Sequence, residues 1–463
     1  MGRRGETQPP GPRYWTPISG GRELRRDPLG YVAALARDFG DIVLLRLGHI
    51  RVYLLFHPDH IRHILQENHT NYVKGPIIAR TKVLIGEGLF TSEGDFWRRQ
   101  RRLAQPAFHR ARIAGFVDTM VRATSERLAG WERHAARGEP FDVAAEMSEL
   151  TLRVVGRTLF GGDLSGQAAA VGRALHDALE FTADRSMRYL ALPLALPIRR
   201  HRVFRRARAE LDRVVYDVID ARRRNGVRDD DLLGMLMSAR DEETGEGMTP
   251  RQLRDEVMTF FLAGHETTAV ALAWTWYLLA GHPEVASRLR DEIAGVLADR
   301  PPTLEDMPRL PLVRQVVEED MRLYPPVWGI GRQALRDDTI GGYAIPAGSV
   351  VNASPYVTHR HPAFWPDPER FDPERFAPEV ASRRPRFAYF PFSGGPRLCI
   401  GETFALVEAQ IVVAMVMQRY RLGLLPGHVV VPQVHLTLRP RGGLPMTAER
   451  APLAPPVAPA QSA

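Results

Sequence analysis

The sequence predicts a mainly α-helical protein with small β-sheets, an α+β arrangement. Segments with apolar residues near the 3.6-residue helical period dominate the chain, and several of them end at glycine. The clearest of these segments are residues 27–40, 125–138, 209–226, 282–300 and 401–420. Strand-like apolar runs are fewer and shorter, at residues 41–57, 349–354 and 434–440. No linker rich in glycine and serine divides the middle of the chain, so we predict one large domain.

We place this domain at residues 14–448. Residues 1–13 and 449–463 are rich in proline together with glycine or alanine, and we expect both to be disordered tails. The composition, 44% hydrophobic and 25% charged over 463 residues, is that of an ordinary soluble protein with a large core. The longest apolar runs fall short of the ~20 residues that span a bilayer, so we expect no membrane anchor.

The charge and cysteine content narrow the classes of partner. Lys and Arg number 62 against 54 Asp and Glu, a net charge of +8. The basic runs are scattered among acids without interleaved aromatic residues, so we expect no nucleic-acid partner. We interpret the excess as an arginine-rich surface with one basic face for docking a protein. A single cysteine excludes an intramolecular disulfide framework and a cysteine-based zinc site, which favours the cytoplasm.

That single cysteine, Cys399, lies in the segment PFSGGPRLCIGE. It precedes a predicted helix that begins near Gly401, so we expect its sulfur near free backbone N–H groups that favour a thiolate. Gly394, Gly395 and Gly401 would let the backbone and the helix approach a flat group closely. The alternative is a structural loop around a core cysteine.

Two further residues of the segment favour a cofactor. Arg397 can reach an anionic group, and Phe392 can shield the sulfur from water. A thiolate ligand under a large planar anionic cofactor explains these features together, and haem held by cysteine is the known case. The pattern F-x-x-G-x-R-x-C-x-G resembles the signature of the cytochrome P-450 family of haem-thiolate monooxygenases. This resemblance implies the P-450 fold, with haem between an oxygen-activating helix and the cysteine-bearing helix.

The expected oxygen-activating helix matches FFLAGHETTAVALAWTWYLLAG, which is apolar nearly all round and belongs in a core. In its middle, AGHETT is similar to the family pattern. The resemblance implies a local opening of the helix at Gly264 where O2 lies, with Glu266, Thr267 and Thr268 as the catalytic group that relays protons. We do not expect His265 to bind iron, because a second strong axial ligand would block O2.

A structural cluster is implied by a second family motif. Glu319 and Arg322 lie three residues apart on one predicted helix and are followed by LYPP and FDPERF. The resemblance implies that both pair with Arg375 and hold the cofactor-binding loop. The triplet PER occurs twice, ending at Arg370 and at Arg375, and the spacing to the cysteine favours the second.

The resemblance also implies how haem propionates are bound. Arginine binds carboxylates through two parallel hydrogen bonds, so arginines are the expected partners. Trp97 and Arg101 match an early W-x-x-x-R motif, Arg332 matches the arginine of a strand along the haem, and Arg397 is the third arginine.

An apolar substrate pocket is expected from the segments that the family places over the haem. These are residues 74–92, 260–261, 326–331 and 434–436. The predicted lining residues are Ile78, Leu84, Leu89, Phe260, Val327, Trp328, Ile330 and Leu436. As ordinary core residues they would say nothing about function; as a pocket they predict a hydrophobic substrate such as a fatty acid, terpenoid, steroid or polyketide.

The function implied by the resemblance is a haem b-dependent monooxygenase. It would insert one oxygen atom from O2 into a C–H or C=C bond, typically in secondary metabolism. Electrons would come from NAD(P)H through a separate ferredoxin or flavodoxin and its reductase, and we expect a cytoplasmic monomer. Three alternatives stay open: a peroxygenase using H2O2, a non-catalytic haem sensor, and a cysteine hydrolase using Cys399 with one of 15 histidines.

Overall fold

The computed structural model describes residues 8–12, 19–48, 50–161, 168–187, 192–226 and 231–451. Helices dominate this part of the chain, as predicted. They are α1 Ser19–Arg26, α2 Pro28–Phe39, α3 Pro58–Arg62, α4 Pro76–Ala79, α5 Lys82–Ile85, α6 Gly94–Ala104, α7 Arg110–Arg137, α8 Val143–Phe160, α9 Ala168–Met187, α10 Arg199–Asn225, α11 Leu232–Ser238, α12 Pro250–Gly281, α13 Pro283–Leu297, α14 Pro311–Leu323, α15 Pro355–Thr358, α16 Pro378–Ala381 and α17 Glu402–Met417.

The strands are short and form small sheets. They are β1 Ile42–Leu47, β2 Ile50–Leu55, β3 Tyr72–Lys74, β4 Phe141–Asp142, β5 Ile330–Ala334, β6 Asp338–Ile340, β7 Tyr343–Ile345, β8 Val350–Ala353, β9 Tyr420–Leu424, β10 Pro432–Val434, β11 Leu438–Pro440 and β12 Pro445–Arg450. The largest sheet has the order β1-β2-β8-β5-β3, and smaller ones pair β4-β12-β9, β6-β7 and β10-β11. The strand runs predicted at residues 41–57 and 349–354 are confirmed, whereas the run predicted at 434–440 is divided by a turn at residues 435–437 between β10 and β11.

The long helix α12 crosses the core and carries the AGHETT segment. Its start is set by Thr249, whose side chain and that of Gln252 form a reciprocal capping box, followed by Pro250 at the first turn. From Leu253 onward most of its residues are buried, because α8 packs along one side and α14 and α17 along others. A helix that is apolar nearly all round belongs in such an interior.

Some residues of the two predicted tails pack against the domain. Residues 8–12 lie against the sheet, where Leu44 N donates a 2.9 Å hydrogen bond to Pro10 O. At the other end, Glu449 and Arg450 belong to β12, and Ala451 N donates to Arg419 O. The remainder of both predicted tails lies outside the described residues, and the proposed domain boundaries stay a prediction.

Candidate functional site

The cysteine loop is held by its own backbone. Cys399 N donates to Phe392 O at 3.0 Å, and Leu398 N donates to Gly395 O at 3.1 Å. The helix α17 begins directly after Gly401, its N-cap residue, as predicted. The Cys399 side chain is therefore presented at the start of a buried helix, and it is exposed.

Opposing effects act on the pKa of the Cys399 thiol. Burial raises the pKa of the Cys399 thiol, while a hydrogen bond from Gly401 N–H and the positive charges of Arg101 and Lys74 lower it. Burial therefore acts against the helix start, which by itself favours a thiolate. The expected thiolate stays a prediction. A bound metal ion deprotonates a ligating thiol outright.

The two adjacent glycines of the loop are required by protein packing. A Cβ at Gly395 would lie 1.9 Å from Leu65 O, and the φ of +63° also disfavours other residues. A Cβ at Gly394 would lie 2.4 Å from the Phe387 ring. These protein contacts account for both glycines by themselves, and the prediction that they let the backbone approach a flat cofactor stays a prediction. At Gly401 a Cβ would meet only the Phe108 ring at 3.9 Å, which leaves its predicted role open.

Arg397 is anchored on three sides. Its guanidinium carbon lies 3.9 Å from the centre of the Trp97 ring, a cation–π contact. Its Nη1 donates to Ser92 O at 2.8 Å, and its Nη2 forms an ion pair with Glu93. Burial lowers the pKa of Arg397 to about 10, and the charge of Glu93 acts against this. The structure thus brings Trp97 and Arg397 together, and it adds Glu93, which sequence reasoning missed.

Three more cations lie close to this pair. Burial lowers the pKa of Arg332 to about 10, and burial followed by the charges of Arg332 and Arg397 lowers the pKa of Lys74. Arg101 donates from Nη1 to Leu398 O at 2.9 Å, directly beside the cysteine. Lys74 was not predicted as a site residue. It lies at the end of β3 and pairs with Arg332 of β5, and a strand pairing of this kind cannot be read from local sequence.

This set of groups fits haem. Four basic residues, Lys74, Arg101, Arg332 and Arg397, lie in and around the cysteine loop, and the charges of Arg101 and Lys74 act on the thiol. Glu93 pairs with Arg397 and offsets part of this positive charge. Such an excess of positive charge suits a dianionic group, and haem carries two carboxylates. The thiol supplies the soft ligand that iron takes in haem-thiolate proteins.

On α12, Thr267 and Gly264 have different neighbours. Ala263 is exposed although most of the helix around it is buried, and the Thr267 hydroxyl donates to Ala263 O at 2.6 Å. Gly264 turns toward α8, where a Cβ would lie 3.0 Å from Val155 Cγ2. The helix is continuous from Pro250 to Gly281, so the predicted local opening at Gly264 is wrong; the glycine allows close helix packing. Thr268 is buried.

Glu266, the acidic residue of the AGHETT segment, contacts a different part of the structure from Thr267. The Thr437 hydroxyl donates to Glu266 Oε1 at 2.7 Å, which links α12 to the turn before β11. Its neighbour His265 is buried, with Nε2 in a 2.9 Å hydrogen bond with the Ser148 hydroxyl of α8. Burial lowers the pKa of His265 to about 4. The ring is thus bound to α8, as expected for a residue that does not ligate iron.

The predicted structural cluster is formed. Arg322 Nε and Nη2 donate to the two carboxylate oxygens of Glu319 at 2.6 and 2.8 Å, with both side chains fully buried. Arg375 Nε lies 3.6 Å from Glu319 Oε1, so the second PER triplet supplies the arginine. Arg370 contributes its carbonyl oxygen to Arg322 instead. Glu319 Oε1 also accepts from Asp372 N at 2.8 Å, which fixes the chain that leads to the cysteine loop.

The eight predicted pocket residues lie in several parts of the structure. Leu84, Leu89 and Phe260 belong to a hydrophobic cluster around α8 to α12, and Ile330 and Val327 belong to another cluster around the largest sheet. Trp328 Nε1 donates to His435 O at 3.4 Å, and Ile78 is half-buried. Leu436 lines a cavity of about 610 Å³ beside α12. Their assignment to a substrate pocket stays a prediction.

Comparisons with known proteins show the family of this chain. The family described as Cytochrome P450 matches residues 8–446. The chain is 38% identical to a cyclooctatin synthase of Streptomyces melanosporofaciens, covering 93% of this chain and 95% of that protein. It is 38% identical to a cyclooctat-9-en-7-ol 5-monooxygenase of the same organism, covering 92% of both chains, and 32% identical to a pentalenene oxygenase of Streptomyces avermitilis, covering 89% and 90%.

A solved structure, the haem domain of cytochrome P450DA, superimposes with a TM-score of 0.89 at 28% identity, covering 96% of this chain and 98% of that one. No helix within the described ranges is long and apolar enough to cross a membrane. The family match over nearly the whole length, the superposition and the arrangement around Cys399 lead to one conclusion: the chain belongs to the cytochrome P450 family and is a monooxygenase that uses haem and O2.

Proposed function

We propose that this enzyme inserts one oxygen atom of O2 into a C–H or C=C bond of a hydrophobic cyclic hydrocarbon of the terpenoid class. The names of two relatives, cyclooctat-9-en-7-ol 5-monooxygenase and pentalenene oxygenase, support this class, since both name hydrocarbon skeletons. The observation that carries the assignment to haem chemistry is the accessible Cys399 thiol at the start of α17, surrounded by cations.

Cys399 would bind the iron of haem b, and Lys74, Arg332 and Arg397 would bind its carboxylates. When bound, haem supplies O2 activation, and a thiolate ligand favours O–O cleavage. Arg101 would hold the loop through its bond to Leu398 O. Glu319, Arg322 and Arg375 act at a distance, because they fix the chain before the loop and touch no reacting group.

Glu266 and Thr267 would supply protons. Glu266 is the acid next to Thr267, and the Thr267 hydroxyl lies at the exposed stretch of α12 near Ala263. Proton transfer by positioned side chains contributes about 10²–10⁴-fold to a rate. Thr268 would support the same segment from its buried position. The presence of both an acid and a threonine supports O2 as oxidant over H2O2.

The electrons would come from NAD(P)H through a ferredoxin or flavodoxin and its reductase. A basic face on α6 would dock that small acidic partner, although its arginines are partly committed: Arg98 pairs with Asp95, and Arg102 with Asp241 at 2.9 Å. We expect a monomer in the cytoplasm, consistent with the single cysteine.

The test is a spectral and product assay of the purified holoenzyme. Terpene hydrocarbons, pentalenene first, are screened for the shift in the haem spectrum that marks displacement of water from iron. Hits are then incubated with ferredoxin, its reductase and NADPH under ¹⁸O₂. We expect one labelled oxygen in the product, and little product from H2O2 alone. Efficient turnover with H2O2 would support the peroxygenase alternative, and a colourless protein with esterase activity would refute the proposal.

Cys399→Ser tests the ligand itself. We expect this variant to fold, because the loop is held by backbone hydrogen bonds rather than by the sulfur. Its ferrous–CO spectrum should lose the red-shifted band that thiolate ligation gives, and oxygen insertion should cease. A variant that retains both the thiolate spectrum and the activity would refute the assignment of Cys399.

A further inference from the structure

A cavity with both polar and apolar lining residues reaches α12 on a side that neither Ala263 nor Thr267 lines. The cavity has a volume of about 610 Å³ and lies between α8, α9, α12 and the chain from β10 to β11. His265 and Glu266 form part of its α12 wall. Successive residues of an α-helix are rotated by about 100°, so Glu266 and Thr267 face different sides of α12. Glu266 is therefore in contact with this cavity, and Thr267 is not.

The cavity is open to solvent at its outer end, and polar side chains lie among the apolar residues of its lining. The His176 and Glu180 side chains of α9, which lie on its rim, are each 65% exposed. Farther in, Arg439 Nη2 forms a 3.0 Å hydrogen bond with His435 Nε2. A space of this size with several polar partners can hold water.

Thr437 fixes the inner end of this path. Its side chain is buried, and its hydroxyl donates to Glu266 Oε1 at 2.7 Å. The backbone on both sides is tied: His435 N donates to Thr437 O at 2.9 Å, and Leu438 N donates to Pro326 O at 3.0 Å. The hydroxyl therefore has little freedom, and it holds the carboxylate at the cavity.

We propose that Thr437 is a positioning residue for oxygen activation, which holds Glu266 where solvent protons reach it through the cavity. The inference rests on the proposed function. Each turnover consumes one O2, two electrons from the redox partner and two protons. One oxygen atom enters the substrate and the other leaves as water. Glu266 takes each proton from cavity water and passes it toward Thr267, so the carboxylate ends each transfer unchanged.

The experiment compares Thr437→Val, which removes the hydroxyl at constant volume, with Thr437→Ser, which keeps it. Full-length holoenzyme is assayed with ferredoxin, its reductase, NADPH and pentalenene. We measure product and H2O2 formed per O2 consumed, and the ratio of rates in H2O and D2O. Thr437→Val is expected to lower product per O2 about tenfold, to raise H2O2 accordingly and to increase the solvent isotope effect. Thr437→Ser should restore most of the coupling.

Two further variants separate this role from a structural one. Thr447→Val on β12 removes a hydroxyl that donates only to a backbone oxygen, Gly423 O, and should leave coupling unchanged. Leu179→Trp adds bulk to the α9 wall of the cavity without replacing Thr437 or Glu266, and should also uncouple the enzyme. The ferrous–CO spectrum of every variant should match that of the wild type.

The outcomes distinguish the inference from the proposed function. Wild-type coupling and isotope effect in Thr437→Val, or equal losses in Thr437→Val and Thr437→Ser, would overturn the role of Thr437 while leaving the monooxygenase assignment intact. A wild-type enzyme that forms product from H2O2 but none from O2 and NADPH would overturn the proposed function and, with it, this inference.

Discussion

The Arg397 guanidinium lies 3.9 Å from the centre of the Trp97 ring and is paired at its edge with Glu93. Glu93 also accepts a 2.6 Å hydrogen bond from Lys74 N, so one carboxylate joins the cysteine loop to the chain after β3. The proposed binding site for the two haem carboxylates thus contains a carboxylate of its own. Its charge opposes the cations that would hold the cofactor.

Glu93→Gln tests the consequence of that charge. The amide keeps the acceptor for Lys74 N but removes one negative charge from the cation cluster. We expect the reduction potential of the haem iron to rise by roughly tens of millivolts, the effect of a unit charge at an effective dielectric constant of about 20. Spectroelectrochemical titration measures it. The control is Asp95→Gln, because Asp95 lies at the exposed start of α6. An unchanged or lower potential in Glu93→Gln would contradict the prediction.

The buried pair of Glu319 and Arg322 should be needed for stability. Arg322→Met leaves the Glu319 carboxylate buried without its partner and frees three backbone carbonyl groups, of His359, Pro368 and Arg370. Breaking such a pair costs about 3–5 kcal/mol. Denaturant unfolding of the holoenzyme measures the loss.

The matched control for Arg322→Met is Arg213→Met. Arg213 pairs with Glu210 and Asp217 on the surface of α10, and its side chain is 52% exposed. Exposed pairs contribute about 0–1 kcal/mol, so this variant should unfold nearly like the wild type. Similar losses in the two variants would show that the buried pair has no special role.

Two glycines of the cysteine loop, Gly395 and Gly401, should differ in how well they tolerate substitution by alanine. Gly395→Ala places a Cβ 1.9 Å from Leu65 O at a φ of +63°, so we expect several kcal/mol of destabilisation or failure to fold. Gly401→Ala has an ordinary φ of −92° and only the Phe108 ring within 4 Å. Its stability should change little.

Haem transfer to apomyoglobin then tests whether Gly401 faces the cofactor. If the helix approaches haem at Gly401, the added methyl group should speed haem loss from Gly401→Ala while thermal unfolding of the protein is unchanged. Equal rates of haem loss in wild type and variant would remove Gly401 from the cofactor-binding residues.

Glu256 makes stability depend on pH. Burial raises its pKa from 4.5 to about 7, although it accepts hydrogen bonds from Leu89 N and the Gln100 side chain. The folded protein holds this proton more tightly than the unfolded chain between pH 4.5 and 7. The free energy of unfolding therefore falls across that window, by about 3 kcal/mol from this group, and its contribution is constant above it.

Glu256→Gln removes the ionisation and keeps the acceptor for Leu89 N. We expect the difference in unfolding free energy between pH 5 and pH 8 to change by about 3 kcal/mol relative to the wild type, in favour of the variant at pH 8. Glu379→Gln, at an exposed position of α16, controls for the loss of a charge. His265 titrates with the opposite sign between pH 4 and 6.5 in all three proteins and cancels in the comparison. Parallel pH curves for wild type and Glu256→Gln would refute the assignment.

The site was predicted best where a motif combines with backbone geometry. The cysteine segment, the start of α17 at Gly401, and the pair of Glu319 with Arg322 are all local in sequence, within three residues or one helix boundary. Such relationships follow from helix periodicity and capping, which the order of residues determines directly.

Sequence reasoning missed pairs of residues that only tertiary contacts bring together, and it explained the role of one glycine wrongly. Glu93 meets Arg397 across 304 positions, and Thr437 meets Glu266 across 171, so no local pattern reveals either pair. Gly264 shows the other failure: the family pattern suggested an open helix, whereas the neighbour that limits its size is Val155 of α8.

The sequence by itself determined the helical class and the family, and it predicted the thiol ligand and the acid–threonine pair, because each depends on residue type at short spacing. The tertiary structure alone decided which glycines pack against protein, which PER arginine reaches Glu319, and that Glu266 lines a cavity and accepts a hydrogen bond from Thr437. The physical reason is that these outcomes depend on which surfaces of distant segments are buried together, and burial is a property of the folded chain.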